Sequence, residues 1–361
     1  MRITFALPLL RSHVGGLRVV SLYARHLHDK GHQVTLVVRL PEQRMPGWRG
    51  RLQRLGLISA PRKPIPPEQG YFSGLDVPVI WLDETRPVVP AELPDADVII
   101  STWWTTTEWV DQLPASKGRH VHFIQDHEDF RPETSARVQA VYRQKNHKIV
   151  VAQWLGDVMR QRYGADSDLV LNGVDLGHFT APPRGRGHPP QVGCLYAAHP
   201  RKNFDLAART LIALKDRRPE LRATVFGSQE RPAILPDWVS YEQSPDQARI
   251  PAIYASCDLW LFASKTEGYG LPLLEAMACR TPVIACAAGA APDLIADGQN
   301  GRLLPTGIDA QTMADAAAEF LDRDDAAWQA ASKAAWQTAQ AHDLSYAAQA
   351  FEDNILRIAK R

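Results

Sequence analysis

Short apolar runs alternate with amphipathic stretches along most of the chain, and that rhythm sets the first expectation. Ile3–Leu7 is a mostly apolar run of strand length. Beyond Gly15-Gly16, the three- and four-residue spacing of Val19, Leu22, Tyr23 and Leu27 predicts a helix stopped by Gly31. Val34–Val38, Val98–Ile100, Val121–Ile124 and Ile149–Val151 repeat the strand pattern, each bounded by polar or turn residues. Thr105-x-x-Glu108 reads as a capping box opening a helix. Apolar strands separated by helices make a parallel sheet covered on both faces, so the class is α/β.

The rhythm breaks twice. Arg39–Lys63 carries Arg39, Arg44, Arg49, Arg51, Arg54, Arg62 and Lys63 against the single acid Glu42. Ala181–Pro190 crowds together Pro182, Pro183, Gly185, Gly187, Pro189 and Pro190, which suits an inter-domain linker. Beyond it the alternation restarts, with strands at Val192–Tyr196, Ala223–Phe226, Leu259–Phe262 and Val283–Ala285 and helices at Leu206–Leu214 and Pro272–Ala278. From Asp309 the chain reads as helical, ending in a helix around Tyr346–Ile358. The expected organisation is a Rossmann-like domain over residues 1–180, a second over 181–340, and a terminal helix over 341–361 packing back on the first.

Composition narrows the function classes. With 361 residues, two hydrophobic cores are the natural expectation. A net charge of +1 points away from a nucleic-acid binder. The opening Met1–Leu7 run is cut by Pro8 and reads as a buried strand rather than a signal peptide, and no run approaches the ~20 apolar residues that span a bilayer. Cys194, Cys257, Cys279 and Cys286 form no C-x-x-C pair and read as buried apolar residues of a cytoplasmic protein. Arg39–Lys63, with Trp48 among its bases, is a candidate contact with the anionic inner face of the cell membrane; a solvated loop is the alternative.

The most informative stretch runs from Cys257 to Glu275. An apolar strand ends near Ala263, a glycine loop follows, and Pro272 opens a helix at the position proline tolerates best. The N–H groups of Gly270 to Leu273 are expected to point out of the helix start and, with its dipole, to form a site for a diphosphate. Gly268 and Gly270 let the backbone approach a ligand closely. Glu267 and Glu275 flank that anion site eight residues apart. Carboxylates suit hydroxyls rather than phosphate, so a ligand with phosphate in its middle and polyols at both ends satisfies both features. A nucleotide sugar is such a ligand. Taken singly, the two acids would read as a solvated loop residue and a helix-dipole partner.

On these residues the chain resembles the family 4 retaining glycosyltransferases of GT-B fold, in which two Rossmann-like domains face a central cleft. The likeness runs through the Glu267-x7-Glu275 spacing, the stretch Glu275–Ala285, Asp297-Gly298-x-Asn300-Gly301 and, before the linker, Asn172-Gly173-Val174-Asp175. It implies that Glu267 contacts donor-sugar hydroxyls and Glu275 the ribose, with Gly268, Tyr269, Gly270 and Leu271 forming the donor loop and the Gly270 and Leu271 amides on the phosphates. In the family an arginine follows the first strand of this domain and a lysine comes six residues later. Lys202 matches the lysine, whereas Tyr196 lies near the arginine position, so Arg201 is the candidate to supply that charge. The scheme implies a nucleoside diphosphate sugar as donor, a saccharide or lipid-linked acceptor, and no metal or cofactor.

Further candidates lie in the first half. Gly15 and Gly16 resemble the family's N-terminal glycine loop near the donor phosphates, although turn chemistry also explains them. The strand ending at Ile124 runs into Gln125-Asp126-His127-Glu128, with Gln125 where the family often has a histidine. Asp126 and His127 are candidates for catalytic or acceptor contact; a polar surface loop is the alternative. The cluster is similar to a Gln-Asp-x-Glu pattern of some polysaccharide rhamnosyltransferases. Trp103 and Trp104 are candidate acceptor-stacking residues, with core packing as the competing role. The expected function is retaining hexosyl transfer in cell-envelope polysaccharide or glycoconjugate synthesis. A GT-B-fold sugar-nucleotide epimerase and a non-catalytic sugar-nucleotide-binding protein are the alternatives. The absence of G-x-G-x-x-G after the first strand disfavours a nicotinamide oxidoreductase.

Overall fold

The computed structural model describes residues 1–8, 15–40, 52, 71, 72, 74–83 and 88–360. Most of the basic segment Arg39–Lys63 therefore lies outside the described residues. The chain divides into two compact units, one of residues 1–150, 155–170 and 348–361, the other of 151–154 and 171–347.

The first unit is built on a seven-stranded parallel sheet. Its strands are β1 (Arg2–Leu7), β2 (Gln33–Leu40), β3 (Val79–Asp83), β4 (Val98–Ser101), β5 (Arg119–Ile124), β6 (His147–Val150) and β7 (Asp168–Leu169). They lie in the order β3-β2-β1-β4-β5-β6-β7. β4 is buried along its whole length, as a strand covered on both faces should be. Helix α1 (Gly15–Asp29) buries Leu17, Val20, Ala24 and Leu27 on one face. Tyr23 from that helix, Phe5 and Phe123 from the sheet, and Phe351 from the C-terminal helix make one fully buried aromatic cluster. The Phe351 ring lies 4.7 Å from that of Tyr23 and 5.0 Å from that of Phe123. At its rim, Glu352 meets Nε2 of His26 at 2.9 Å and Nε2 of His32 at 3.0 Å.

The first unit also carries helix α2 (Trp104–Val110), α3 (Pro132–Tyr142) and most of α4 (Gln153–Tyr163). The start of α2 differs from the expected capping box. The Thr106 hydroxyl, not that of Thr105, accepts from the Trp103 amide at 3.1 Å, while Glu108 turns outward to Arg137. Threonine at the third helical position reaches back to the open N–H groups, whereas the half-buried acid is paired elsewhere.

The second unit has a six-stranded parallel sheet of β8 (Gln191–Tyr196), β9 (Arg222–Gly227), β10 (Val239–Gln243), β11 (Leu259–Phe262), β12 (Val283–Cys286) and β13 (Gly301–Leu304), ordered β10-β9-β8-β11-β12-β13. Both sheets thus follow the doubly wound order in which the chain reverses direction beside the first strand. Helices α5 (Phe204–Arg217), α6 (Ile250–Ala255), α7 (Leu271–Ala278), α8 (Ala291–Leu294), α9 (Ala310–Leu321) and α10 (Asp325–Gln340) belong to this unit. The last, α11 (Leu344–Lys360), starts in it and continues from Ala348 in the first. Asp309 and Asp324 cap α9 and α10 by accepting from the Thr312 and Ala327 amides at 2.8 Å each.

The Pro/Gly-rich stretch Ala181–Pro190 is not a free linker. Fully buried Asp258 gathers it in, accepting from Arg184 Nη1 at 2.8 Å, the Gly187 amide at 2.8 Å and the Gln191 amide at 2.7 Å. A buried carboxylate is tolerable only when so paired, and these bonds tie the stretch to the second unit. All four cysteines are buried and unbridged, and burial pushes the Cys286 thiol up to about 11.

Candidate functional site

The switch point of the second sheet lies between β8 and β11, neighbours paired in parallel with Trp260 opposite Gly193. Chains leaving such strands on opposite faces open a crevice beyond their carboxyl ends, where ligands of open α/β sheets bind. After β8 the chain makes a tight turn at Pro200–Lys202, and Asn203, in the left-handed conformation at φ 51°, starts α5. After β11 it runs through Ala263–Gly270 into α7. The two connections are stitched together: Lys265 donates its amide to the Arg201 carbonyl at 2.8 Å, and Asn203 Nδ2 donates to the Ala263 carbonyl at 3.2 Å.

That stitching brings Lys202 onto Glu267. The ammonium donates to both carboxylate oxygens, at 2.6 and 2.8 Å, and Ser264 Oγ donates to Oε1 at 2.7 Å. Glu267 and Ser264 are 9% and 4% exposed, so the acceptor side of this charge-assisted cluster is shielded from water while Lys202 stays partly exposed. A small hollow opens beside it, lined by Leu195, Ala197, Phe262 and Pro272 as well as the cluster itself. Arg201, in the same turn as Lys202, is partly exposed.

Glu275 lies on the second turn of α7, 7% exposed, and its Oε2 accepts from the Tyr254 hydroxyl at 3.0 Å. The helix start is narrower than the sequence implied. Pro272 has no N–H, and the Leu273 amide is spent on the Gly270 carbonyl at 3.0 Å, so neither of these positions has an amide to offer a ligand. Gly270 sits at φ 101°, and a Cβ there would come within 2.8 Å of the Phe262 ring. Gly289, at φ 62°, backs the loop so closely that a Cβ would lie 2.4 Å from the Tyr269 carbonyl oxygen and 2.8 Å from Glu267 Cβ. Tyr269 is buried, and the Gly268 carbonyl accepts from Trp154 Nε1 at 2.9 Å.

In the first unit the switch point lies between β1 and β4. Gly15 and Gly16 open α1, and Gly16 abuts the side-chain amide of Gln125. Asp126 Oδ1 accepts from the His127 amide at 2.8 Å, and His127 Nε2 lies 2.7 Å from the Tyr163 hydroxyl. Burial, helped by Arg162, lowers the affinity of His127 for a proton against the opposing pull of Asp129 and Asp126. Trp104 is buried with the Arg137 guanidinium over its ring, while Trp103 is half-buried and faces Phe130 at 6.5 Å.

Several residues have no individual role in the sequence reading. Glu128 is buried, accepts from the Trp104 amide at 2.7 Å and donates its own amide to the Tyr142 hydroxyl at 2.9 Å; burial pushes its carboxyl well above the ordinary value. Phe130 is 45% exposed beside Trp103. Ser264, Tyr254 and Trp154 each hold part of the loop or its acids; Ser264 does so within the loop, the other two from elements distant in sequence. Among the described residues no three His, Cys, Asp or Glu side chains converge as metal ligands would, and no helix is long and apolar enough to cross a membrane.

Residues 183–337, which contain the Lys202–Glu267 cluster, Glu275 and the glycine loop, match the family described as glycosyl transferases group 1. Over these residues the chain is similar to that family. A lipopolysaccharide core biosynthesis mannosyltransferase of Rhizobium meliloti is 31% identical over 176 residues, 43% of this chain and 50% of that protein. A D-inositol 3-phosphate glycosyltransferase of Mycobacteroides abscessus is 29% identical over 230 residues, 56% of this chain and 51% of that one. The chain thus spans about half the length of the curated relatives it matches. Among solved structures, Anabaena HepE in complex with UDP and glucose superposes with a TM-score of 0.73 at 18% identity, covering 99% of this chain and 100% of that one. The architecture is that of the GT-B glycosyltransferases, two parallel-sheet α/β units in one chain.

Proposed function

We propose that the protein is a retaining glycosyltransferase that moves a hexosyl unit from a nucleoside diphosphate sugar to a saccharide or lipid-linked acceptor in cell-envelope polysaccharide or glycoconjugate synthesis. The observation that carries this reading is the Lys202–Glu267–Ser264 cluster at the switch point, with Glu275 on the adjoining helix. It sets a cation and a helix start beside two acids, which suits a diphosphate bracketed by a sugar and a ribose. Relatives named for glycosyl transfer support the class, and the lipopolysaccharide enzyme among them supports the envelope setting.

In this scheme Lys202, Arg201 and the Gly270 and Leu271 amides take the diphosphate. Glu267 takes donor-sugar hydroxyls, Glu275 the ribose, and Gly268 and Tyr269 shape the loop between them. The acceptor hydroxyl attacks the anomeric carbon from the side on which the diphosphate departs. The anomeric C–O bond to phosphate breaks, the new glycosidic bond forms, and the hydroxyl proton passes to a phosphate oxygen, releasing a nucleoside diphosphate. Gly15 and Gly16 are proposed to approach the phosphates, and Asp126 and His127 to contact the sugar or acceptor. Trp103 stacks on acceptor sugar, a role in which exposed Phe130 fits better than buried Trp104. Contact with an anionic membrane through Arg39–Lys63 completes the proposal.

A thermal-shift panel of UDP-, GDP- and dTDP-sugars tests it, because a ligand that binds only the native state raises the melting temperature. A rise with one nucleotide class, followed by turnover with that donor, is expected. No shift with any donor would favour a protein that does not bind sugar nucleotides, and conversion of the donor without an acceptor would favour an epimerase.

A further inference from the structure

We infer that Tyr254 is the positioning residue for the ribose-binding acid, holding the Glu275 carboxylate in the orientation that the ribose hydroxyls require. The inference rests on the donor reading of Glu275 above and adds to it a residue outside the motif.

Tyr254 is fully buried on the short helix α6. Its ring is fixed on three sides, by Trp260 at 4.5 Å, Phe226 at 5.7 Å and Phe179 at 6.2 Å. Its backbone is fixed too, since the Tyr254 carbonyl accepts from Thr281 Oγ1 at 2.7 Å. A phenyl ring would fill this space equally well, so packing does not account for the hydroxyl. What the hydroxyl does is donate to Glu275 Oε2 at 3.0 Å, between two buried side chains. A carboxylate taken from water is costly unless it is hydrogen-bonded. Phenylalanine at 254 together with leucine or alanine at 275 would spare the core both polar groups, so the pair is an expense that folding alone does not explain. A rigid donor on Oε2 fixes the turn of the carboxyl plane about Cγ–Cδ. The acid then meets its ligand already oriented instead of losing side-chain freedom on binding.

The test compares ribose with its absence. Tyr254→Phe is made in the full chain, and titration calorimetry measures the affinity of UDP, GDP and ADP and of their 2′,3′-dideoxy counterparts. Whichever nucleotide the wild type takes, it should prefer the ribose form. Tyr254→Phe should weaken the ribose form about tenfold, leave the dideoxy form within about twofold, and so erase the preference. Glu275→Gln, which keeps an oxygen for Tyr254, should fall between wild type and Glu275→Ala. Equal weakening of ribose and dideoxy forms would show a purely structural hydroxyl and overturn the inference, as would no weakening of either. A Tyr254→Phe chain without a cooperative thermal transition would also overturn it. If the wild type binds none of the six nucleotides, it is the donor reading itself that fails.

Discussion

Glu267 has both oxygens engaged by Lys202 and one shared with Ser264, and that single arrangement explains how the acid is accommodated nearly buried. Ser264→Ala should leave the affinity for a nucleoside diphosphate unchanged and lower turnover about tenfold, since a hydrogen bond to a charged group contributes roughly 1.5–3 kcal/mol. Steady-state kinetics beside calorimetry would check the split. Glu128 is the opposite case, an acid that burial holds well above its ordinary value of 4.5. A raised folded-state value means that its contribution to stability is complete below that ordinary value and is lost as pH rises through the folded one. Glu128→Gln should therefore gain on the wild type in melting temperature between pH 5 and 9. Glu128→Ala, which strands the Trp104 amide, should lose about 1–3 kcal/mol by urea denaturation at acidic pH, a deficit that shrinks as pH rises. The sequence displayed Glu267 and Glu275 because their spacing around a glycine loop is local. Tyr254 was silent, and Glu128 was legible only as part of a Gln-Asp-x-Glu pattern, because their partners are supplied by other elements; Ser264 pairs within its own loop but carries no motif.

At the scale of elements, the strands legible in the sequence were those with neighbours on both sides: β1, β2, β4, β5 and β6 in one sheet, β8, β9, β11 and β12 in the other. The four that went unread, β3, β7, β10 and β13, are the four sheet edges. An edge strand pairs on one side only and need not be apolar on both faces; β10, Val-Ser-Tyr-Glu-Gln, buries only its first residue fully. The loop-to-helix turn at Gly270 was legible because its glycine is a backbone requirement. Gly270→Ala places a side chain at φ 101° and against the Phe262 ring. The cost should be about 1–3 kcal/mol, visible as a lower urea midpoint, with donor affinity weakened as the Leu271 amide shifts.

For the whole molecule, the division into units follows contacts that no local pattern encodes. The Pro/Gly-rich stretch looked like a boundary, yet Asp258 binds it to the second unit, and the chain changes units near Val170 and again near Ala347. Phe351 is where the terminal helix meets the aromatic core of the first unit. Phe351→Ala should lower stability by about 3–5 kcal/mol, seen by urea denaturation followed by circular dichroism.

The claim on which the rest depends is that Glu275 and Glu267 serve opposite ends of one donor. Calorimetric affinity for the preferred nucleoside diphosphate, measured beside turnover in Glu275→Ala and Glu267→Ala, tests it most directly. Glu275→Ala should weaken nucleotide binding at least tenfold. Glu267→Ala should bind the nucleotide as well as or better than the wild type, because Lys202 is released to the phosphates, while turnover falls about a hundredfold, the loss of a few kcal/mol of transition-state stabilisation. Wild-type affinity in Glu275→Ala, or undiminished turnover in Glu267→Ala, would contradict the account.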